Sequence, residues 1–101
     1  MATQEQARSR IIEINSIPWQ ELQPGIRMRQ LWNDVATKRR AVMARIEPGA
    51  QTPPRHKHLG DELIFVIEGA ISDEFGTVTV GNMGYRPDGC VHTVMSQHGA
   101  T

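Results

Sequence analysis

Three histidines and one glutamate hold most of the chemistry this sequence offers. His56-x-His58-x3-Glu62 forms one cluster, and His92 follows behind a Pro87-Asp88-Gly89 turn. In a β-strand residues i and i+2 share a face, so His56 and His58 project together. Glu62 opens the apolar run Leu63-Ile64-Phe65-Val66-Ile67, just past a tight Leu59-Gly60-Asp61 corner. If those two runs pair, Glu62 faces the same hollow, and His92 supplies a fourth ligand from elsewhere in the fold. Three imidazoles and one carboxylate make a borderline donor set suited to Zn, Fe, Mn, Ni or Cu.

Positioning such ligands takes a rigid β scaffold, and the chain reads as one. Residues 1–10 are polar and expected to be a flexible N-terminus; residues 11–101 form one β-barrel domain. Ile11 to Ile17 alternates loosely until Pro18-Trp19 breaks it, and Gln23-Pro24-Gly25 signals a turn. Ile26 to Trp32 alternates cleanly, Arg40 to Ile46 reads as a second strand, and residues 63–67 as a third. Short runs at 70–75, 77–80 and 91–95 follow, separated by Gly76, Gly81, Gly84 and Gly89. Many short strands with regular turn signals predict an all-β barrel or sandwich.

The order of glycines and prolines around the ligands is also specific. The first stretch is Gly49-x6-His56-x-His58-x3-Glu62-x6-Gly69; the second is Gly81-x5-Pro87-x-Gly89-x2-His92-x3-Ser96. Together they resemble the two signature motifs of the cupin superfamily, small metal-binding β-barrels. The resemblance covers residues 40–96 and extends back toward Ile26. Two departures stand out: the first spacer is one residue longer than the commonest form, and Ser96 occupies a position where the superfamily usually shows Asn. That position is not a metal ligand. Within cupins, Glu68-Gly69-Ala70-Ile71-Ser72-Asp73-Glu74 and Arg86-Pro87-Asp88-Gly89-Cys90-Val91-His92-Thr93 resemble the ChrR-like group. That group includes the zinc-binding domain of an anti-sigma factor and stand-alone relatives. The resemblance implies a double-stranded β-helix, or jelly-roll-like barrel, with one divalent metal, zinc favoured, on His56, His58, Glu62 and His92. In ChrR a separate helical domain holds the sigma factor. The residues before Ile26 show no long helical pattern, so sigma-factor binding is not expected to carry over. Barrels of this family usually continue with another apolar strand after the second motif. Here only Ser96-Gln97-His98-Gly99-Ala100-Thr101 follows. The last strand is therefore expected to be missing or shortened, and Ile11 to Ile17, or a partner's strand, to fill the open edge.

Composition bounds the function. The chain has 101 residues with 11 basic and 11 acidic side chains, a formal net charge of zero. That balance gives no support for binding nucleic acid or a membrane surface. No apolar run approaches the length of a membrane helix, and the N-terminus lacks a signal peptide's apolar core. The single cysteine, Cys90, allows no intrachain disulfide. The reading is a cytoplasmic protein.

Assembly follows from parity. If Glu62 points inward, so do Ile64 and Val66, and Leu63, Phe65 and Ile67 lie outside. A symmetric partner is the expected cover, making the protein a homodimer.

Other residues have plainer readings. Glu62 also reads as a salt-bridged surface carboxylate, and Asp61 ranks below it because it faces the other way. Arg55 reads as solvated and His98 as a bystander. Cys90 shares parity with His92 but reads first as a small buried apolar residue. Trp19 and Trp32 read as core or interface anchors.

Two functions compete. One is a metal-binding module with a sensing or small-molecule-binding role. The other is a metal-dependent enzyme, such as a dioxygenase or isomerase acting on a small organic substrate. A catalyst needs an acid or base besides the ligands. The candidates Tyr85, Glu74 and Cys90 are not compellingly placed, which favours the binding module.

Overall fold

The computed structural model describes residues 7–52, 56–57 and 59–101, and of His56 and Lys57 the backbone only. The described chain is built from strands, with one turn of 3-10 helix at Ile14–Ser16. Strands β1 (Gln20–Gln23), β2 (Ile26–Asp34) and β3 (Arg39–Ile46) form an antiparallel meander. Gly25 makes the β1–β2 turn at φ 84°, left-handed backbone that only glycine adopts without strain. A bulge between Gln30 and Trp32 interrupts the expected alternation of β2. Trp19 lies within cation–π distance of two cations: Arg29 is 4.3 Å and Arg45 4.8 Å from its ring centre. It is half-buried and lies outside the buried core, so of the two expected roles the core one is not taken.

Strands β4 (His56–Lys57) and β9 (Val91–His92) pair antiparallel, as do β5 (Glu62–Phe65) and β8 (Met83–Arg86). The partners run His56↔His92, Lys57↔Val91, then Glu62↔Arg86 through Phe65↔Met83. The register is continuous, so these are two stretches of one ribbon bent at its corners. Among the described residues, the expected pairing of the His56 run with the Glu62 run does not occur. Each pairs with the second motif instead. The corners are clasped together: the Gly60 amide donates to Asp88 Oδ1 at 2.7 Å, and the Asp88 amide to Asp61 Oδ1 at 3.0 Å. The first motif therefore turns alongside the second instead of folding back on itself. Strands β6 (Ala70–Asp73) and β7 (Gly76–Thr79) close the far end as a hairpin.

Ile11 to Ile17 does not form a strand. Ile11 is 91% exposed, and the segment contains only the 3-10 turn. The edge it was expected to fill is already taken. Met95 bridges Gln51 on one side and Ser72 on the other, and Ala100 bridges Ile46 and Gly69. Ile67 and Glu68 donate their amides to the Thr101 carbonyl, and the Thr101 amide donates to Glu68. Residues 95–101 pair through these bridges and hydrogen bonds. Gly69 admits the approach: a Cβ there would collide with the Gly99 carbonyl oxygen. Ser96 is buried, and its hydroxyl donates to the Ala70 carbonyl at 2.7 Å.

The core is small: Ile26, Ile46, Val66, Ile71, Val94 and Ala100, with Ala50, Ile64 and Val78 packed against it. Strands β2, β3 and β6 each reach it through one buried isoleucine: Ile26, Ile46 and Ile71. Strands β1 and β8 are not visible as apolar alternation for a physical reason. The sequence of β1 is Gln-Glu-Leu-Gln, whose Leu22 is exposed, and β8 turns Gly84 and Arg86 inward.

Candidate metal centre

His92 is fully buried, at 0% exposure. It lies on the short strand β9, the same inward parity that buries Val94 and Ser96. Its Nδ1 is 2.9 Å from Asp73 Oδ2. Asp73 ends β6, where its Oδ1 accepts the Phe75 amide at 2.8 Å and so caps the Glu74-Phe75 turn. Its Oδ2 also meets Arg86 Nη2 at 2.7 Å, and both side chains are buried. Arg86 Nε lies 3.3 Å from His92 Nδ1. The guanidinium fits because residue 84 is glycine: a Cβ there would sit 2.6 Å from Arg86 Nη1. Burial pushes the Asp73 carboxyl up. The hydrogen bond with His92, the Phe75 amide and the Arg86 charge outweigh that and hold it below the ordinary Asp value.

Glu62 is half-buried and stands opposite Arg86 across the β5–β8 ladder. Directly opposed residues share a face of a ribbon, so Glu62 belongs to the inward side with Ile64. His56 stands opposite His92 in the β4–β9 ladder. The fold thus brings Glu62 and His92 to one ribbon, with the backbone of His56 beside His92. The His56 side chain and all of His58 lie outside the described residues. Among the described residues, no three His, Cys, Asp or Glu side chains are grouped to hold a metal.

The bystanders are placed as follows. Asp61 is spent on the corner clasp. Glu74 Oε1 accepts the Thr93 amide at 2.8 Å, which holds its carboxyl below the usual range. Tyr85 is 57% exposed, on the outer face. Desolvation and the neighbouring Asp61 push its hydroxyl above its ordinary value. Cys90 is a half-buried free thiol. His98 is exposed, lining an open cleft of about 270 Å³ with Arg45, Glu47 and Glu68. Sequence reasoning missed Asp73 and Arg86. The available signal was parity: Asp73 shares the inward side of β6 with Ile71, and a charge on a core-facing position is an observation that demands a partner.

These elements, a doubly wound strand ribbon closed by short antiparallel pairs, define a small all-β cupin. The family model of the ChrR cupin-like domain matches residues 7–101, and the chain belongs to that family. A chain in the crystal structure of Rhodobacter sphaeroides SigE in complex with the anti-sigma ChrR is similar at 25% identity and TM-score 0.73. The match covers 88% of this chain and 51% of that one, so this chain spans about half its length. KdgF from a Halomonas species matches at 21% identity and TM-score 0.72, covering 88% of this chain and 84% of that one. A predicted oxalate decarboxylase of Thermotoga maritima matches at 16% identity and TM-score 0.74, covering 90% and 92%. The last two likenesses are of fold alone. No curated protein matches the chain.

Proposed function

We propose that this chain is a metal-binding cupin domain that holds one divalent ion through His56, His58, Glu62 and His92. Zinc is favoured, and the role is sensing or small-molecule binding. The observation that supports it most is a fully buried His92 set directly opposite His56 in the ladder. Asp73 meets Nδ1 of that buried ring, the carboxylate contact that a metal-ligating imidazole commonly makes through its other nitrogen. The donor set suits zinc, a redox-inert Lewis acid. Glu74 is committed to the Thr93 amide and Tyr85 lies on the outer face, so neither supports the enzyme reading. The outer faces of β5 and β8 carry Leu63, Phe65, Met83 and Tyr85, with Ile67 beyond, all more than half exposed. That patch supports a homodimer. What ChrR binds belongs to that whole protein; the reading here is of the cupin domain alone.

Elemental analysis of the purified protein beside a His58→Ala variant tests the site. One equivalent of metal is expected in the first and a marked loss in the second. Equal content in both sinks the ligand assignment. Imidazole ligates only when neutral, so metal should be released below about pH 6.

A further inference from the structure

Resting on the metal reading above, we propose that Asp73, pinned by Arg86, is the positioning residue that presents Nε2 of His92 to the ion. Two described neighbours of Nδ1 make opposite demands. Arg86 Nε, at 3.3 Å, carries a proton and asks Nδ1 for a lone pair. Asp73 Oδ2, at 2.9 Å, is an acceptor and asks Nδ1 for a proton. The shorter contact is also the one to an ionised acceptor, and it prevails. Nδ1–H donates to Asp73, which puts the ring's lone pair on Nε2, across the imidazole. Which nitrogen ligates is decided by the bond the other nitrogen makes.

Asp73 itself is not a ligand. Its carboxylate already meets three donors: the Phe75 amide, Arg86 Nη2 and His92 Nδ1. Arg86 acts through Asp73. It balances the carboxylate charge in a place where both side chains are buried, and it fixes the oxygen that faces His92. Gly84 leaves the space in which that guanidinium lies. The hairpin that presents Asp73 is separate from the ribbon that carries His56, Glu62 and His92, so this group reaches the site from outside the signature ligand motifs.

The test is zinc affinity, measured by competition with a chromophoric chelator, for the wild type, Asp73→Asn, Asp73→Glu and Glu74→Gln. Asp73→Asn should weaken zinc about 10–100-fold. Asp73→Glu should recover part of that, and Glu74→Gln, which keeps a side-chain oxygen to accept the Thr93 amide, should bind as the wild type does. The cobalt(II) visible spectrum should shift in Asp73→Asn and not in Glu74→Gln, which a general loss of stability does not predict. Long-range ¹H–¹⁵N spectra of the wild type give an independent reading if Asp73→Asn fails to fold. His92 should be the Nδ1–H tautomer without metal and should couple through Nε2 to bound cadmium. An Nε2–H tautomer, cadmium on Nδ1, or unchanged zinc affinity in Asp73→Asn overturns the positioning role and leaves the metal site standing. A wild type that takes up no zinc overturns the metal reading, and this role with it.

Discussion

The inside and outside of the corner ribbon invert the usual distribution of side chains. On the inward side, Asp73, Arg86 and His92 are buried charged or polar groups, tied to one another at 2.7 to 3.3 Å. On the outward side of β5 and β8, the opposed pairs Leu63↔Tyr85 and Phe65↔Met83 are more than half exposed. Burying charge costs several kcal/mol unless it is paired, and exposing apolar surface forgoes about 25 cal/mol per Å². The inward charges are paired with one another, whereas the outward apolar patch stays exposed.

The largest expected effect lies on the inward side. Asp73→Ala leaves the Arg86 guanidinium buried without its carboxylate, and urea unfolding should show a loss of about 3–5 kcal/mol. A loss under 1 kcal/mol would mean that water reaches Arg86 and that the two sides differ less than described. On the outward side, Phe65→Glu should leave the fold intact. If the patch is a dimer contact, it should weaken the dimer by the worth of one buried side chain, about 1.5–3 kcal/mol. Sedimentation equilibrium measures this, and an unchanged mass on a folded variant removes the patch from assembly.

A smaller effect belongs to Ser96→Ala, which loses the 2.7 Å bond to the Ala70 carbonyl and should cost about 1 kcal/mol in thermal melts. The smallest is a pH slope. The folded Asp73 carboxyl titrates below its unfolded value. Its contribution is therefore complete above the ordinary Asp range, near pH 4, and is lost as pH falls through the folded value. Acid unfolding should steepen there, and Asp73→Asn should flatten it. A wild-type curve already flat below pH 4 contradicts the direction given for Asp73.

Much of this was legible in the sequence. Parity alone separated Ile64 and Val66 from Leu63, Phe65 and Ile67, and the structure keeps that division. The motif spacing and its resemblance to cupins anticipated the barrel and its family. Strand partners were not legible, because pairing between distant segments leaves no local pattern. The His56 and Glu62 runs are near neighbours in sequence, yet each finds its partner in the second motif. Ile11 to Ile17 alternates well enough for a strand, but a better-placed segment, 95–101, occupies the edge. Parity marked Asp73 as facing inward with Ile71, but its partner Arg86 lies on a distant strand, and no local pattern joins the two.

The ribbon register also orders events in time. Asp73 and Gly76 adjoin through a two-residue turn, Phe65 and Met83 are 18 positions apart, and His56 and His92 are 36. Loop-closure entropy grows with separation, so the hairpin forms at least cost and pairing zips outward from it. On that order His56 should meet His92 last, at the far end of the ribbon and late on the folding path. A metal held there should leave the refolding rate nearly unchanged and slow unfolding instead, lengthening the lifetime of the folded chain.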